Sequence, residues 1–511
     1  MSFQLLYFII IINQIYLLHS SQIVSLPFNS FFKYGNRTNI SSIDDLSRMN
    51  LYSKINIGEP LYEIKAFLSV QHSYFSINKD YLSKNINDFF THYNIKKSNS
   101  FKNVSTNISI LGNINYDSVA TEKFELNIYN YIKKEYYNIS LDDMIIIYNE
   151  NDKNDQNILN TYYLNIGFQI INQKKYKERE QFNFINQLKK KNIIQRYDWC
   201  IFFQKGKNNN GSFLYNPNEL INAKGEILIG DLPNNYNSNF HSQQLLSTYS
   251  IFSDSLYKWA LEFSNVYYNK SLNEIKKIHY TDVQLNINSY VILSPMIYYY
   301  NIKNDYFDYY LSKKICKVYQ GDEYKTFYCE KSENFTIDDL KKFPTLYMEH
   351  KEFEYIFEFT YEDLFIEKDN NYWFLVALSV FNNDLEEWFM GILFLRKYNL
   401  IFNQDSKTIS FYNPNKPISS ERSETNNNNN NNIGGYNSII IIFIVVVVIF
   451  AILLIIIFCL FFKKNAFKSN KDKRRLNHIH DNLDNNNINK KNDNKNNNNN
   501  DKYALLDMVI N

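Results

Sequence analysis

Between residues 50 and 414, short runs rich in Ile, Val, Tyr and Phe recur with turn residues between them. Lys54 to Gly58, Ile64 to Val70, Asp143 to Tyr148, Cys200 to Gln204, Glu226 to Ile229, Trp259 to Tyr267, Trp373 to Val380 and Thr408 to Tyr412 read as strands. Helical periodicity is rare, and Phe182 to Lys191 is the best helical stretch. Recurrent strands over so long a span predict a large all-β body, and the absence of alternating helices argues against a parallel α/β protein.

Two apolar stretches stand apart from this pattern. Leu5 to Leu18, followed by Ser20 and Ser21, predicts a signal peptide over residues 1–21. No basic residue precedes it, so a retained N-terminal anchor stays open. Ile439 to Phe462 is 24 residues without a charge, enough at ~1.5 Å per residue to cross a hydrocarbon core of ~30 Å. Lys463, Lys464, Lys468, Lys471, Lys473, Arg474 and Arg475 follow and place that flank in the cytosol. The expected protein is single-pass type I, in the secretory or endosomal pathway or at the cell surface. The membrane is engaged through residues 439–462, and the ectodomain is lumenal or extracellular. Sequons at Asn36, Asn39, Asn103, Asn107, Asn138, Asn210, Asn269 and Asn334 all precede the span, as an exported glycoprotein requires. An Asn run from Asn426 to Asn432 marks a flexible stalk over 415–437. Residues 463–511 hold too little apolar surface to order themselves.

Composition narrows the function. A net charge of +2 excludes a polyanion binder driven by bulk charge, so no nucleic-acid partner is expected. Four cysteines with no CxxC pair remove the commonest zinc and thiol-redox readings. No phosphate-binding Gly loop is present, and neither a metal nor a cofactor is expected.

Several segments, taken in order, carry a family likeness. Tyr52-Ser53-Lys54-Ile55-Asn56-Ile57-Gly58-Glu59-Pro60 resembles the opening Y-x-x-x-I-x-I-G-x-P hairpin of the pepsin-like aspartic proteases (peptidase A1). Leu164-Asn165-Ile166-Gly167-Phe168 resembles their D-G-I-L-G-L strand, and Phe184 to Phe203 the helix and strand that follow. Gly225-Glu226-Ile227-Leu228-Ile229-Gly230 resembles G-x-L-x-x-G, and Trp259 to Phe263 a later Trp-led strand. Trp388 to Asn403 is similar to W-x-L-G-D-x-F-L-R-x-Y-x-x-x-F-D. The resemblance covers roughly residues 50–414. It implies an all-β bilobal fold, with an N-terminal segment at 22–49 and lobes over 50–203 and 204–414 joined by a shared sheet. A substrate cleft would lie between the lobes.

In that family each lobe supplies one Asp in a D-T/S-G turn. Two carboxylates a few ångströms apart cannot both ionise, so they share a proton and divide the acid and base roles. Aligned here, the first turn falls on Ser69-Val70-Gln71 and the second on Asn286-Ile287-Asn288. Serine and an amide cannot exchange protons near neutral pH. Val70 and Ile287 replace hydroxyls, and Gln71 and Asn288 replace glycines. Leu111, before Gly112, stands where the flap Tyr would be. Asp282 lies four residues before Asn286 and about 13 Å away along a strand, out of reach. Ser69 and His72 point differently along a strand-to-turn and do not form a nucleophile–base pair. Asp44-Asp45 and Asp142-Asp143 read as solvated turn acids.

The resemblance also implies a disulfide in the second lobe, between Cys316 and Cys329, which a secretory compartment permits. Cys200 reads as a buried thiol. Cys459, near the end of the span, reads as membrane packing, with palmitoylation as the other reading. In the tail, Tyr503, Leu505 and Leu506 resemble endosomal sorting patterns that a clathrin adaptor binds as a short extended peptide. These residues point to a catalytically degenerate, membrane-anchored pepsin-like protein that binds polypeptide without cutting it. Two readings stay open: an active aspartic endopeptidase whose acids lie elsewhere, and a structural surface protein whose cleft Gln71, Tyr74, Asn288 and Tyr290 fill.

Overall fold

The computed structural model describes residues 22–32, 46–47, 49–70, 74–79, 97–111, 114–131, 133–148, 162–170, 177–204, 223–251, 258–271, 274–321, 323–380 and 387–418. The signal-peptide stretch, the apolar run 439–462, Cys459, and the tail residues Tyr503, Leu505 and Leu506 lie outside them. Among the described residues no helix is long and apolar enough to cross a membrane.

The described chain is mostly β, with strands that alternate as half-buried strands must. In Met49–Ile57 the residues Met49, Leu51, Ser53, Ile55 and Ile57 are buried while Lys54 is exposed. Two large sheets result, one of 13 strands and one of 11. Strands from both ends of the chain meet in the first: Lys224–Ile229 pairs with Asp198–Phe203, which also pairs with Leu400–Asn403. Thr408–Tyr412 and Leu245–Tyr249 extend that edge.

Three elements alter or add to the sequence reading. Gln22–Phe32 is a long strand at the centre of the first sheet, paired with Lys224–Ile229, Met49–Ile57 and Ile114–Asn130. Trp373 to Val380 is two strands, Asn371–Phe374 and Val376–Ser379, broken at Leu375, whose N–H turns aside to the Leu364 carbonyl. Residues 296–312 are helical, with a π-turn at Lys303–Phe307. Tyr favours strands, but Tyr298, Tyr299, Ile302 and Phe307 share a face that the second sheet buries. Tertiary packing overrides the propensity.

Cys316 and Cys329 stand directly opposite each other in a hairpin and form a disulfide. Cys200 is buried, its sulfur 3.4 Å from the Tyr236 hydroxyl, and burial pushes its thiol up to about 12. Of the sequon residues, Asn103, Asn138, Asn269 and Asn334 are exposed.

One core runs through both sheets. At its centre Trp199 stacks on Phe402 with centroids 4.2 Å apart, and Trp259, which opens the first long strand of the second sheet, packs edge-on against Phe402 at 5.0 Å. Phe168 closes the group against Trp199 at 4.9 Å. The Trp259 indole Nε1–H donates to the Phe168 carbonyl at 2.7 Å, inside the core. We expect Trp259→Phe to cost about 2–4 kcal/mol in denaturant unfolding, because it leaves that carbonyl unpaired and a gap among the rings.

His350 is a second buried polar group. Its ring stacks on Phe353 at 4.1 Å and meets the Phe263 edge-on, and Nδ1 accepts the Phe353 N–H at 3.2 Å. Burial lowers its pKa from 6.5 to about 4. Between those values the unfolded chain binds a proton that the folded chain refuses, so stability falls as pH drops through that window. The whole step is worth about 3 kcal/mol. Unfolding midpoints measured from pH 6.5 down to 5 should decline in the parent chain and lose most of that slope in His350→Gln.

Candidate functional site

The two turns singled out from the sequence sit in equivalent frames. In the first sheet four neighbouring strands run Tyr62–Ser69, Tyr162–Gly167, Phe75–Lys79, Glu135–Tyr148, and in the second Glu274–Leu285, Trp388–Met390, Ile292–Leu293, Val376–Ser379. In both sets the pairings are parallel, antiparallel, then parallel. The registers agree too. Leu68 faces Ile166 where Leu285 faces Met390. Ser76 faces Asn165 and Ile147 where Leu293 faces Phe389 and Ala377. Ser76 follows Ser69 by seven residues, as Leu293 follows Asn286. Ser69 and Asn286 therefore hold the same place in two copies of one strand arrangement.

Each turn is held by backbone bonds. The Ser69 carbonyl accepts the Phe168 N–H at 2.7 Å, and Ser69 and Val70 are both buried. The Asn286 N–H donates to the Met390 carbonyl at 2.8 Å, while its Oδ1 accepts the Asn288 N–H at 2.8 Å. That side-chain bond closes an Asx turn, so the Asn286 amide oxygen serves the backbone. Ile287 is fully buried, and the Asn288 Oδ1 is buried without a donor. Ser289 accepts the Ile392 N–H on its carbonyl at 2.8 Å. Gly391 passes so close that a Cβ there would lie 2.0 Å from the Ser289 carbonyl oxygen, so only glycine fits.

Three hydrogen bonds join the two turns. Phe168, bonded to Ser69, accepts the indole N–H of Trp259, whose own carbonyl accepts the Leu285 N–H at 2.8 Å, one residue before Asn286. Trp259 was legible as a motif residue, but its bridging role was not, because its partners lie 91 residues upstream and 26 downstream.

No carboxylate occupies the described part of either turn. Asp282 faces Glu262 across the neighbouring strand. Burial pushes its carboxyl above the usual range, and the charges of Glu387 and Glu262 add to this. Glu387 in turn accepts from the Gln284 amide. Asp142 and Asp143 lie in the strand Glu135–Tyr148 at a bulge, not in a turn between strands; both are exposed, and Asp143 has φ 55°. Tyr74 and Tyr290 are buried within core clusters. Leu111 ends a hairpin strand opposite Ile114. Gln71, His72, Gly112, Asp44 and Asp45 lie outside the described residues.

Against the second turn lies a cavity of about 260 Å³. Asn286, Val291, Leu293 and Phe389 line it together with the polar groups of Ser289 and Ser379. Its walls are part apolar and part polar, and Glu323 brings one carboxylate to them.

No protein-family model and no curated protein matches the chain. Among solved structures it is similar to conglutin gamma, a basic 7S globulin from lupine seeds, with TM-score 0.50 and 10% identity over 77% of this chain and 95% of that one. Basic 7S globulin from soybean gives TM-score 0.47 and 11% identity over 76% and 94%. At such identity the lupine likeness establishes a shared fold and nothing further about activity.

Proposed function

We propose that this chain is a non-catalytic pepsin-like protein that holds an extended polypeptide in the groove beside Asn286. It would be anchored in a membrane through residues 439–462 and sorted through Tyr503, Leu505 and Leu506. The observation that carries the reading is the register equivalence of Ser69 and Asn286, neither of which can take up or release a proton. Peptide hydrolysis by this fold needs two groups whose pKa values have been driven apart by their closeness. A hydroxyl and an amide have no such pair of values. The hydroxyl positions beside them, Val70 and Ile287, are buried hydrocarbon. The cavity at Asn286 supports binding over mere spacing. Tyr74 and Tyr290, the bulky side chains that could have filled the centre, belong to core clusters instead.

An extended peptide can add main-chain hydrogen bonds at a strand edge while one side chain enters the cavity. The test uses a photo-crosslinking peptide library on the full-length chain, beside a cleavage assay in acid. Crosslinks should map to Val291, Leu293 or Phe389, and Ser379→Trp, which fills the cavity, should reduce them roughly tenfold, the ~1.4 kcal/mol of one buried side chain. Turnover in acid that a dyad-directed inhibitor blocks would overturn the reading in favour of an active endopeptidase. Crosslinks that ignore Ser379→Trp would overturn the groove.

A further inference from the structure

The first sheet has a reverse face, turned away from the main core. Along Gln22–Phe32 the core takes Val24, Leu26 and Phe28, which leaves Ser25 and Pro27 on the other side. The same alternation sends Phe202 and Cys200, and Glu226 and Leu228, to that reverse face. Part of it is covered by Tyr236 and Phe240, which pack on Ile23, Cys200 and Leu228. Beside this cover lies an open groove of about 740 Å³. Tyr129, Tyr136, Phe202, Phe203 and Tyr236 line it, and Glu226 is among the lining residues.

Glu226 is half-buried and accepts a hydrogen bond from Ser25 Oγ at 3.1 Å. Among the described residues no Lys, Arg or His forms an ion pair with it. Its charge reaches the surrounding rings. Burial raises the pKa of the Tyr136 and Tyr236 hydroxyls, and in both the Glu226 carboxylate raises it further. Tyr129 and Tyr136 stand opposite each other on neighbouring strands with centroids 4.7 Å apart.

A carboxylate partly withdrawn from water without a counter-charge is costly. Aromatic faces carry negative quadrupole charge and attract cations placed over them. Both features call for the same occupant. We propose that this groove binds the guanidinium or ammonium group of a basic side chain, with Glu226 as counter-ion and Tyr129, Tyr136, Phe202 and Tyr236 as walls. A guanidinium is the better fit, being planar and weakly hydrated. The groove shares no lining residue with the cavity at Asn286, so this proposal stands or falls apart from the one above.

The experiment is calorimetric titration of the full-length chain in detergent with N-acetyl-argininamide, N-acetyl-lysinamide and the neutral N-acetyl-citrullinamide. A cationic probe should bind roughly tenfold tighter than citrullinamide, and Glu226→Gln should remove that advantage. Tyr136→Leu should weaken cation binding severalfold; its ring is 55% exposed, so the fold does not depend on it and the variant keeps the test open if Glu226→Gln misfolds. Equal binding of argininamide and citrullinamide, no saturable binding of either cation, or parent-like affinity in both variants would overturn the proposal.

Discussion

The structure depends on a single buried junction, the indole of Trp259 set between Trp199, Phe402 and Phe168. Aromatic rings supply the area that holds the two sheets together, and the indole N–H gives the contact a direction. The Phe168 carbonyl that it satisfies is one residue of backbone away from the bond to Ser69. The Trp259 carbonyl holds the residue before Asn286. Both turns are therefore positioned by the same core contact, and their geometry needs nothing from the side chains that a catalyst would place there.

That independence leaves the frame intact with Ser69 and Asn286, neither of them an acid, in the two turns. Two acids close together in a partly dry site would repel each other, and the side chains at Ser69 and Asn286 carry no such strain. Val70 and Ile287 are buried in the core, and the Asn286 amide closes its own turn. The close passage at Gly391, the parallel strand pairs and the cavity beside them depend on the backbone.

Much of this was readable along the chain. The runs Lys54 to Gly58, Cys200 to Gln204 and Glu226 to Ile229 announced the strands Met49–Ile57, Asp198–Phe203 and Lys224–Ile229, because side-chain direction repeats every two residues. The motif segments announced their order. Where reading failed, a nearby preference lost to a distant contact. Gln22–Phe32 carries Pro27 and looked like a lead-in segment, yet it is enclosed by three strands. Tyr-rich residues 296–312, to which no element was assigned along the chain, are helical because the second sheet offers a face to bury.

Along the chain itself, local rules decided a β-rich body, the order of its strands and the absence of an acid at Ser69 and Asn286, since each of these depends on residues close in sequence. Only the folded chain decided that these two positions are equivalent, that Trp259 joins them, and that Glu226 lies among rings drawn from residues 129 to 236. Such facts arise from strand pairing and packing between segments far apart in sequence, where side chains chosen for one neighbour acquire a second.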